Sequence, residues 1–168
     1  MSLQTLVFED AGDYICRTSN AVSVKDQFSE SDPVKFVISG PPHLYLEPET
    51  RFETFVESNT SLELMFCGEP KPDVKWSVGP SGSDDQVSLH AGTWHDRLQA
   101  ESLVMMSSHV SCYIARLNIF SAHSSDSEVY HVRVENIHGK EELALQLVVQ
   151  GELCLKLYVV IPLRLLIY

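Results

Sequence analysis

The sequence predicts an all-β protein folded as an antiparallel sandwich or barrel. Short runs in which apolar and polar residues alternate recur along the 168-residue chain, and Gly, Pro, Asn and Ser separate them. Clear examples are residues 61–66 (SLELMF), 115–119 (ARLNI) and 130–134 (YHVRV). In each run every second side chain can face a core while its neighbours face water. Helical periodicity is almost absent, and many short strands at this spacing indicate a sandwich or a barrel.

The composition is that of a folded protein, with 44% hydrophobic and 21% charged residues. A net charge of −11 argues against nucleic acid or an anionic membrane surface as the partner, because both are polyanions. The charge by itself identifies no partner. The start of the chain contains Glu9, Asp10 and Asp13 and lacks the basic and then apolar profile of a signal peptide.

Two stretches, residues 61–76 (SLELMFCGEPKPDVKW) and 115–139 (ARLNIFSAHSSDSEVYHVRVENIHG), together resemble the I-set immunoglobulin domain. They match its strand B, a G-x-P-x-P turn, strand C with a core Trp, strand E as L-x-I, strand F as D-x-x-x-Y, and a closing N-x-x-G. The resemblance covers residues 41–150 and implies a complete immunoglobulin-like Greek-key β-sandwich of seven or eight strands. The core positions that it implies are Leu64, Trp76, Leu117, Tyr130 and Val132, with Tyr130 as the tyrosine corner.

A second copy of the strand-F pattern lies near the start of the chain. Residues 10–16 (DAGDYIC) place an Asp four residues before a Tyr, as residues 126–132 (DSEVYHV) do. Residues 1–40 therefore resemble the C-terminal part of another such domain, strands E to G, with strand E ending near Leu3 and an exit turn at residues 20–23. Its strands A to D are not in this sequence, so we expect a truncated domain.

Two further segments are the junction at residues 40–42 and the tail at residues 151–168. Gly40-Pro41-Pro42 predicts a short, stiff connector between the two domains. The tail, residues 151–168, is apolar, but its 17 residues from Glu152 contain two cations and a proline. It falls short of the roughly 20 apolar residues that a membrane span needs. We interpret it as non-native or truncated sequence, with an edge strand or a re-entrant anchor as alternatives.

The cysteines depart from the family pattern. The resemblance places the usual inter-sheet disulfide at Leu64 and Val132, so apolar packing replaces it. It also places Cys67 and Cys112 on neighbouring strands B and E, and a register in which Leu64 faces Ala115 sets them opposite each other. We predict a disulfide between them on the outward phase, near the loop ends; two separate thiols are the alternative.

Two further cysteines have no predicted partner. Cys16 occupies the strand-F position of the truncated domain, so its partner would lie in the missing strand B. Cys154 lies in the tail. No C-x-x-C pair is present, and the histidines show no metal-ligand spacing, so we predict no metal and no cofactor.

Other motifs are local. Asn59-Thr60-Ser61 is a predicted N-glycosylation site in a turn before strand B. The resemblance also implies a salt bridge between Arg97 and Asp126 at one end of the sandwich. The long segment 79–109 predicts strands C′ and D with a surface loop, or alternatively a recognition edge that exposes Trp94 and the methionines 105 and 106. No nucleophile elbow or other catalytic signature is present, so we predict no enzyme.

The resemblance implies a non-enzymatic, extracellular recognition module of a multi-domain immunoglobulin-superfamily receptor, active in cell-cell adhesion or neural guidance. Residues 132–139 (VRVENIHG) resemble invertebrate adhesion receptors of the echinoid or fasciclin type. The implied partners are other immunoglobulin-superfamily ectodomains, homophilic or heterophilic, with no nucleic acid and no small-molecule substrate. The alternatives are an intracellular structural I-set module of a giant muscle or cytoskeletal protein, and a secreted immune-type protein.

Overall fold

The computed structural model describes residues 6–19, 28–79 and 86–151. These residues form β-strands and two short 3-10 turns. Within these ranges no helix is long and apolar enough to cross a membrane. The tail with Cys154, the predicted end of strand E at Leu3 and the predicted exit turn at residues 20–23 lie outside the described residues.

The predicted all-β immunoglobulin-like sandwich is confirmed. In chain order the strands are β1 (Gly12–Tyr14), β2 (Arg17–Ser19), β3 (Phe28–Glu30), β4 (Val34–Phe36), β5 (Gly40–Leu44), β6 (Arg51–Phe55), β7 (Thr60–Glu69), β8 (Asp73–Val78), β9 (Val87–His90), β10 (Thr93–His95), β11 (Leu98–Ala100), β12 (Val104–Met105), β13 (Cys112–Ile119), β14 (Val129–Asn136) and β15 (Gly139–Gln150).

Two sheets face each other from β5 onward. The first has the order β10-β11-β13-β7-β5, with β12 also paired to β13. The second has the order β6-β15-β14-β8-β9. The β6–β15 pair is parallel, whereas the other ladders are antiparallel. The order corresponds to strands A, B, E and D in the first sheet and A′, G, F, C and C′ in the second.

Before the sandwich, residues 6–19 and 28–39 form two small strand pairs, and we call these residues the hairpin segment. Strand β1 pairs with β4 and β2 pairs with β3, both antiparallel. Within the described residues, the apolar side chains of Tyr14, Phe28 and Val34 on these strands are exposed. Two-stranded hairpins are marginally stable alone in water.

The connection between the hairpin segment and the sandwich is held by the turn that joins β14 to β15. The side-chain amide of Asn136 donates to the carbonyl oxygens of Gly40 (2.9 Å) and Pro70 (3.0 Å). A Cβ on Gly139 would lie 3.0 Å from the Cβ of Pro41, so only glycine fits this approach without a shift. The connector is thus packed against the end of the sandwich.

Candidate interaction surface

The core lies between β7 and β13 on one side and β8, β14 and β15 on the other. Trp76 and Tyr130 are its largest fully buried side chains, and Leu117 is buried beside them. Leu64 and Val132, at the positions where the resemblance implied an inter-sheet bridge, are 2% and 1% exposed. Apolar packing therefore joins the two sheets there, because alternating strand residues direct both side chains inward.

The predicted disulfide is confirmed. Cys67 and Cys112 are bonded, and they are register partners three positions from the Leu64–Ala115 pair. Because Leu64 points into the core, the odd spacing places Cys67 on the outer face of the sheet. Both cysteines are nevertheless fully buried, because residues from outside the sheet cover them, with Phe8 foremost. The sequence indicated the outward direction but not this covering.

The predicted salt bridge closes the end of the sandwich away from the connector. Arg97 donates from Nη1 to Oδ2 of Asp126 (2.7 Å) and from Nη2 to Oδ1 (2.9 Å). The backbone N–H of His123 donates to the same carboxylate (2.8 Å). Burial raises the pKa of Asp126, but the hydrogen bonds from Arg97 and His123 outweigh it and hold the pKa below its usual value. Burial raises the pKa of Tyr130, whose hydroxyl donates to the carbonyl oxygen of Asp126.

The same corner occurs in the hairpin segment. The hydroxyl of Tyr14 donates to the carbonyl oxygen of Asp10 (2.6 Å), and the N–H of Val7 donates to the Asp10 carboxylate (3.1 Å). In both copies a 3-10 turn precedes the tyrosine, Phe8–Asp10 in the first and Ser124–Asp126 in the second. The repeated sequence pattern thus folds into the same local structure twice.

The hairpin segment exposes much of its apolar surface. Tyr14 and Val34 are register partners on β1 and β4, and both are exposed. Cys16 is exposed and forms no disulfide within the described residues. A strand pair that leaves such a face uncovered normally packs against further strands.

Asn59 lies in the exposed turn between β6 and β7. Its side-chain oxygen accepts a hydrogen bond from the backbone N–H of Ser121 (3.0 Å). Asn59 is exposed, and its side-chain nitrogen is the atom to which an N-linked glycan would be attached. Ser61, the third residue of the sequon, is also exposed.

A stacked aromatic pair, with Trp94 exposed and Phe120 partly buried, marks one edge of the first sheet. Trp94 on β10 is 59% exposed and stacks on Phe120, with ring centroids 5.4 Å apart. Val104 and Met105 on β12 are exposed on the same side of β13. We call these four residues the Trp94 edge. Segment 79–109 thus forms the predicted strands and also presents Trp94 and Met105 to solvent, whereas methionine 106 packs near the disulfide.

A groove of about 510 Å3 crosses the outer face of the second sheet. Ala144, His131 and Ser77 are register neighbours across β15, β14 and β8 and form its floor. Lys75 and Arg133 border it, and Arg133 pairs with Glu135 and Glu142. The lining therefore combines two cations with at least one carboxylate, that of Glu142, and is polar. It can accept polar side chains of a protein partner.

One cluster combines metal-ligand atoms. Glu9, His43 and Cys67 bring one ligand atom each to within 4.8 Å of one another. The sulfur of Cys67 is bonded to Cys112, so it offers no thiolate to a cation. The ring of His43 instead stacks on Phe8. This cluster therefore does not make a metal site.

Comparisons with known proteins agree with the geometry. Residues 45–149 match the immunoglobulin I-set domain. Human Hemicentin-1 is 27% identical over 152 residues, 89% of this chain and 2% of its own length. Mouse vascular endothelial growth factor receptor 1 is 25% identical over 149 residues, 89% of this chain and 10% of its own length. Chicken CD166 antigen is 29% identical over 85 residues, 49% of this chain and 13% of its own length. The chain thus spans a small part of these relatives.

Solved structures share the fold. Dpr2 Ig1-Ig2 in complex with DIP-Theta Ig1-Ig3 aligns with a TM-score of 0.59 at 18% identity, over 83% of this chain and 41% of that one. A tandem pair of titin Ig domains aligns with a TM-score of 0.57 at 19% identity, over 86% of this chain and 64% of that one. At these identities the likeness concerns the fold alone. With the I-set match over most of the sandwich, the chain belongs to the immunoglobulin I-set domain family.

Proposed function

We propose that this chain is part of the extracellular region of a multi-domain immunoglobulin-superfamily receptor and binds other immunoglobulin ectodomains in cell-cell adhesion or guidance. The observation that carries the proposal is the Cys67–Cys112 disulfide. Disulfides persist in oxidising compartments and are rare in the cytosol. The exposed sequon residue Asn59 supports the same compartment, because N-glycosylation takes place on secreted and surface proteins.

Similarity supports the partner class. The relatives include a protein named as a growth factor receptor, and one structure with this fold holds two immunoglobulin proteins in complex. An immunoglobulin ectodomain is accordingly the partner that we propose, on the outer side of the plasma membrane. The role is binding rather than catalysis, since the sequence contains no catalytic signature.

The domain organisation is part of the proposal. Residues 41–150 are proposed to be a complete I-set domain, and residues 1–40 are proposed to belong to the C-terminal part of a preceding domain. The tyrosine corner at Tyr14 supports the second assignment, because the same hydrogen bond occurs at Tyr130 in the complete domain.

The Trp94 edge is the proposed contact surface. Tryptophan is enriched among the residues that dominate binding energy at protein interfaces, and Trp94 is held in place by Phe120. Solvent-exposed apolar residues at a sheet edge are otherwise unfavourable. A partner that covers this edge would bury the exposed ring of Trp94.

The compartment is tested by the mass of the natural full-length protein, measured before and after reduction and after removal of N-glycans. The proposal expects an oxidised Cys67–Cys112 pair and a glycan on Asn59 that Asn59→Gln abolishes. Free thiols at both cysteines together with an unmodified Asn59 would instead support the intracellular structural module. Release of the glycosylated protein into the medium without membrane association would support the secreted immune-type protein.

Binding is tested by aggregation of beads coated with the chain, alone or mixed with beads that carry other immunoglobulin ectodomains. Trp94→Ala should reduce aggregation by about tenfold or more, as expected for a central interface tryptophan. Leu46→Ala, which also removes an exposed apolar side chain, is the matched control and should leave aggregation unchanged. Equal aggregation by both variants would place the contact elsewhere.

A further inference from the structure

We infer that the outer face of the first sheet around Cys67–Cys112 is a docking seat for the preceding immunoglobulin domain, whose E–F turn binds there through Phe8. The seat consists of the disulfide with His43, Tyr45 and methionine 106. This inference rests on the proposal that residues 1–40 belong to such a domain. It adds that the disulfide serves as an inter-domain contact and not merely as a staple within one sheet.

Phe8 is buried, whereas the apolar residues near it in the chain are exposed. It is 6% exposed, whereas Leu6, Val7 and Ile15 in the same segment are exposed to about half of their surface. It packs against Cys67 and Cys112, and its ring stacks on His43 with centroids 5.1 Å apart. Aromatic rings make favourable contacts with sulfur, so the phenyl ring of Phe8 can pack favourably on the disulfide.

The local fold of the hairpin segment aims Phe8 at the seat. Phe8 begins the 3-10 turn that Asp10 caps through the N–H of Val7. Tyr14 then ties this turn to β1 through the carbonyl oxygen of Asp10. The direction of Phe8 relative to the hairpin is therefore fixed by the tyrosine corner, and a contact made by Phe8 orients the whole segment.

The tyrosine corner at Tyr130 shows whether the turn itself requires a large apolar residue at the position of Phe8. Ser124 occupies the position in the second 3-10 turn that Phe8 occupies in the first. Ser124 is exposed, while both turns keep the aspartate cap and the tyrosine. A large apolar residue is thus not required by the corner itself. The phenylalanine is explained by the surface that it covers.

A second attachment lies beside the first. Ser39 donates from Oγ to the carbonyl oxygen of Glu69 (3.0 Å) and contacts Nε2 of His138 (2.9 Å). A Cβ on Gly40 would lie 3.4 Å from Cζ of Phe8, so the connector and the phenyl ring are in contact. The Ser39 contacts therefore hold the start of the connector against the sandwich, next to the Phe8 contact.

The seat is tested on the full chain by the rate at which dithiothreitol reduces the Cys67–Cys112 bond. Each reduction yields two thiols on the protein and converts the reagent to its cyclic disulfide. Alkylation followed by peptide mass spectrometry separates these thiols from Cys16 and Cys154. Because thiol–disulfide exchange requires access to a sulfur, Phe8→Ala should accelerate reduction by about tenfold or more. Phe28→Ala, which removes a 53% exposed ring from the same segment, should change the rate by less than about twofold.

A second pair of variants changes residues of the sandwich instead of the hairpin segment. Methionine 106 packs against the bridge, whereas Met105 is exposed. M106E should accelerate reduction as Phe8→Ala does, while M105E should not. Urea unfolding followed by tryptophan fluorescence, to which the buried Trp76 and the exposed Trp94 both contribute, verifies that the sandwich of each variant is folded. Phe8→Leu should restore part of the protection.

Unchanged reduction rates in folded Phe8→Ala and M106E would overturn the inference. So would equal acceleration by Phe28→Ala, because the effect would then reflect general loosening of the segment. The assay uses no binding partner and no membrane. A failed bead-aggregation experiment therefore leaves it unaffected, and loss of the seat leaves the proposed function open to its own test.

Discussion

Cys67 lies directly opposite Cys112 in the β7–β13 pair, so the disulfide joins neighbouring strands of one sheet. The two sheets are joined instead by packing, with Leu64 and Val132 buried between them. The covalent cross-link and the packing between the two sheets therefore involve different residues. Their contributions to stability can be measured separately.

Removal of the bridge should weaken the domain without unfolding it. Cys67→Ala combined with Cys112→Ala opens a loop with a sequence separation of 45 residues. We expect the free energy of unfolding to fall by about 2–4 kcal/mol, because the unfolded chain gains conformational freedom. Urea denaturation measures the change, and Cys16→Ala is the control. A loss as large in the control would show that the effect is not due to the bridge.

The packing that replaces the inter-sheet bridge should be sensitive to volume. Leu64→Ala removes buried methyl groups at a site with 2% exposure, and we expect a loss of about 3 kcal/mol. Met65→Ala truncates the next residue, whose side chain points outward and is half-buried, and should cost less than about 1 kcal/mol. Chemical denaturation of the two variants provides the comparison. Similar losses would contradict the assignment of faces.

The Arg97–Asp126 pair should make stability depend on acid pH. The pKa of Asp126 is lower in the folded protein than its usual 3.8. The pair therefore stabilises the fold above the unfolded-state pKa, and this contribution is lost as the pH falls through the lower folded-state pKa. Asp126→Asn should reduce stability near pH 7 by on the order of 3 kcal/mol and flatten its decline in acid.

The matched control for this pair is Asp96→Asn. Asp96 lies 3.6 Å from Nε of the same arginine, but its side chain is 76% exposed. Solvent screens such a contact, so we expect a change below about 1 kcal/mol and an unaltered acid limb. Urea titrations from about pH 7 to pH 3 measure both variants. An unchanged acid limb in Asp126→Asn would contradict the prediction.

Close backbone approach at the connector should make Gly68 intolerant of a side chain. An added Cβ would lie 2.7 Å from Cγ of Pro72 and 3.2 Å from the Cα of Pro42. We expect Gly68→Ala to cost about 1–3 kcal/mol, because the β5 strand must shift. Gly151→Ala is the control, since nothing lies within 4 Å of its added Cβ. Thermal or urea unfolding of the two variants measures the change. Unaltered stability of Gly68→Ala would contradict the close approach of Pro42 and Pro72 to Gly68.

The sequence by itself, through its resemblance to the I-set domain, predicted the sandwich, the pairing of Cys67 with Cys112 and the Arg97–Asp126 bridge. Alternation of apolar residues defines which side chains face inward, and antiparallel pairing keeps the sum of partner numbers constant. Once Leu64 was placed opposite Ala115, the cysteine pair followed. The strand neighbours and the Arg97–Asp126 positions came from that resemblance, whereas the register came from the alternation of apolar residues along each strand.

Only the tertiary structure decided what covers these elements. Phe8 reaches Cys67 and Cys112 across a long stretch of sequence, and the side chain of Asn136 reaches back to Gly40. The stacking of Trp94 on Phe120 likewise joins two separate loops. No periodicity encodes such contacts, because they arise from the packing of whole elements against one another. The disulfide was predictable from register, whereas its burial under a residue of the preceding segment depended on how the chain folds back.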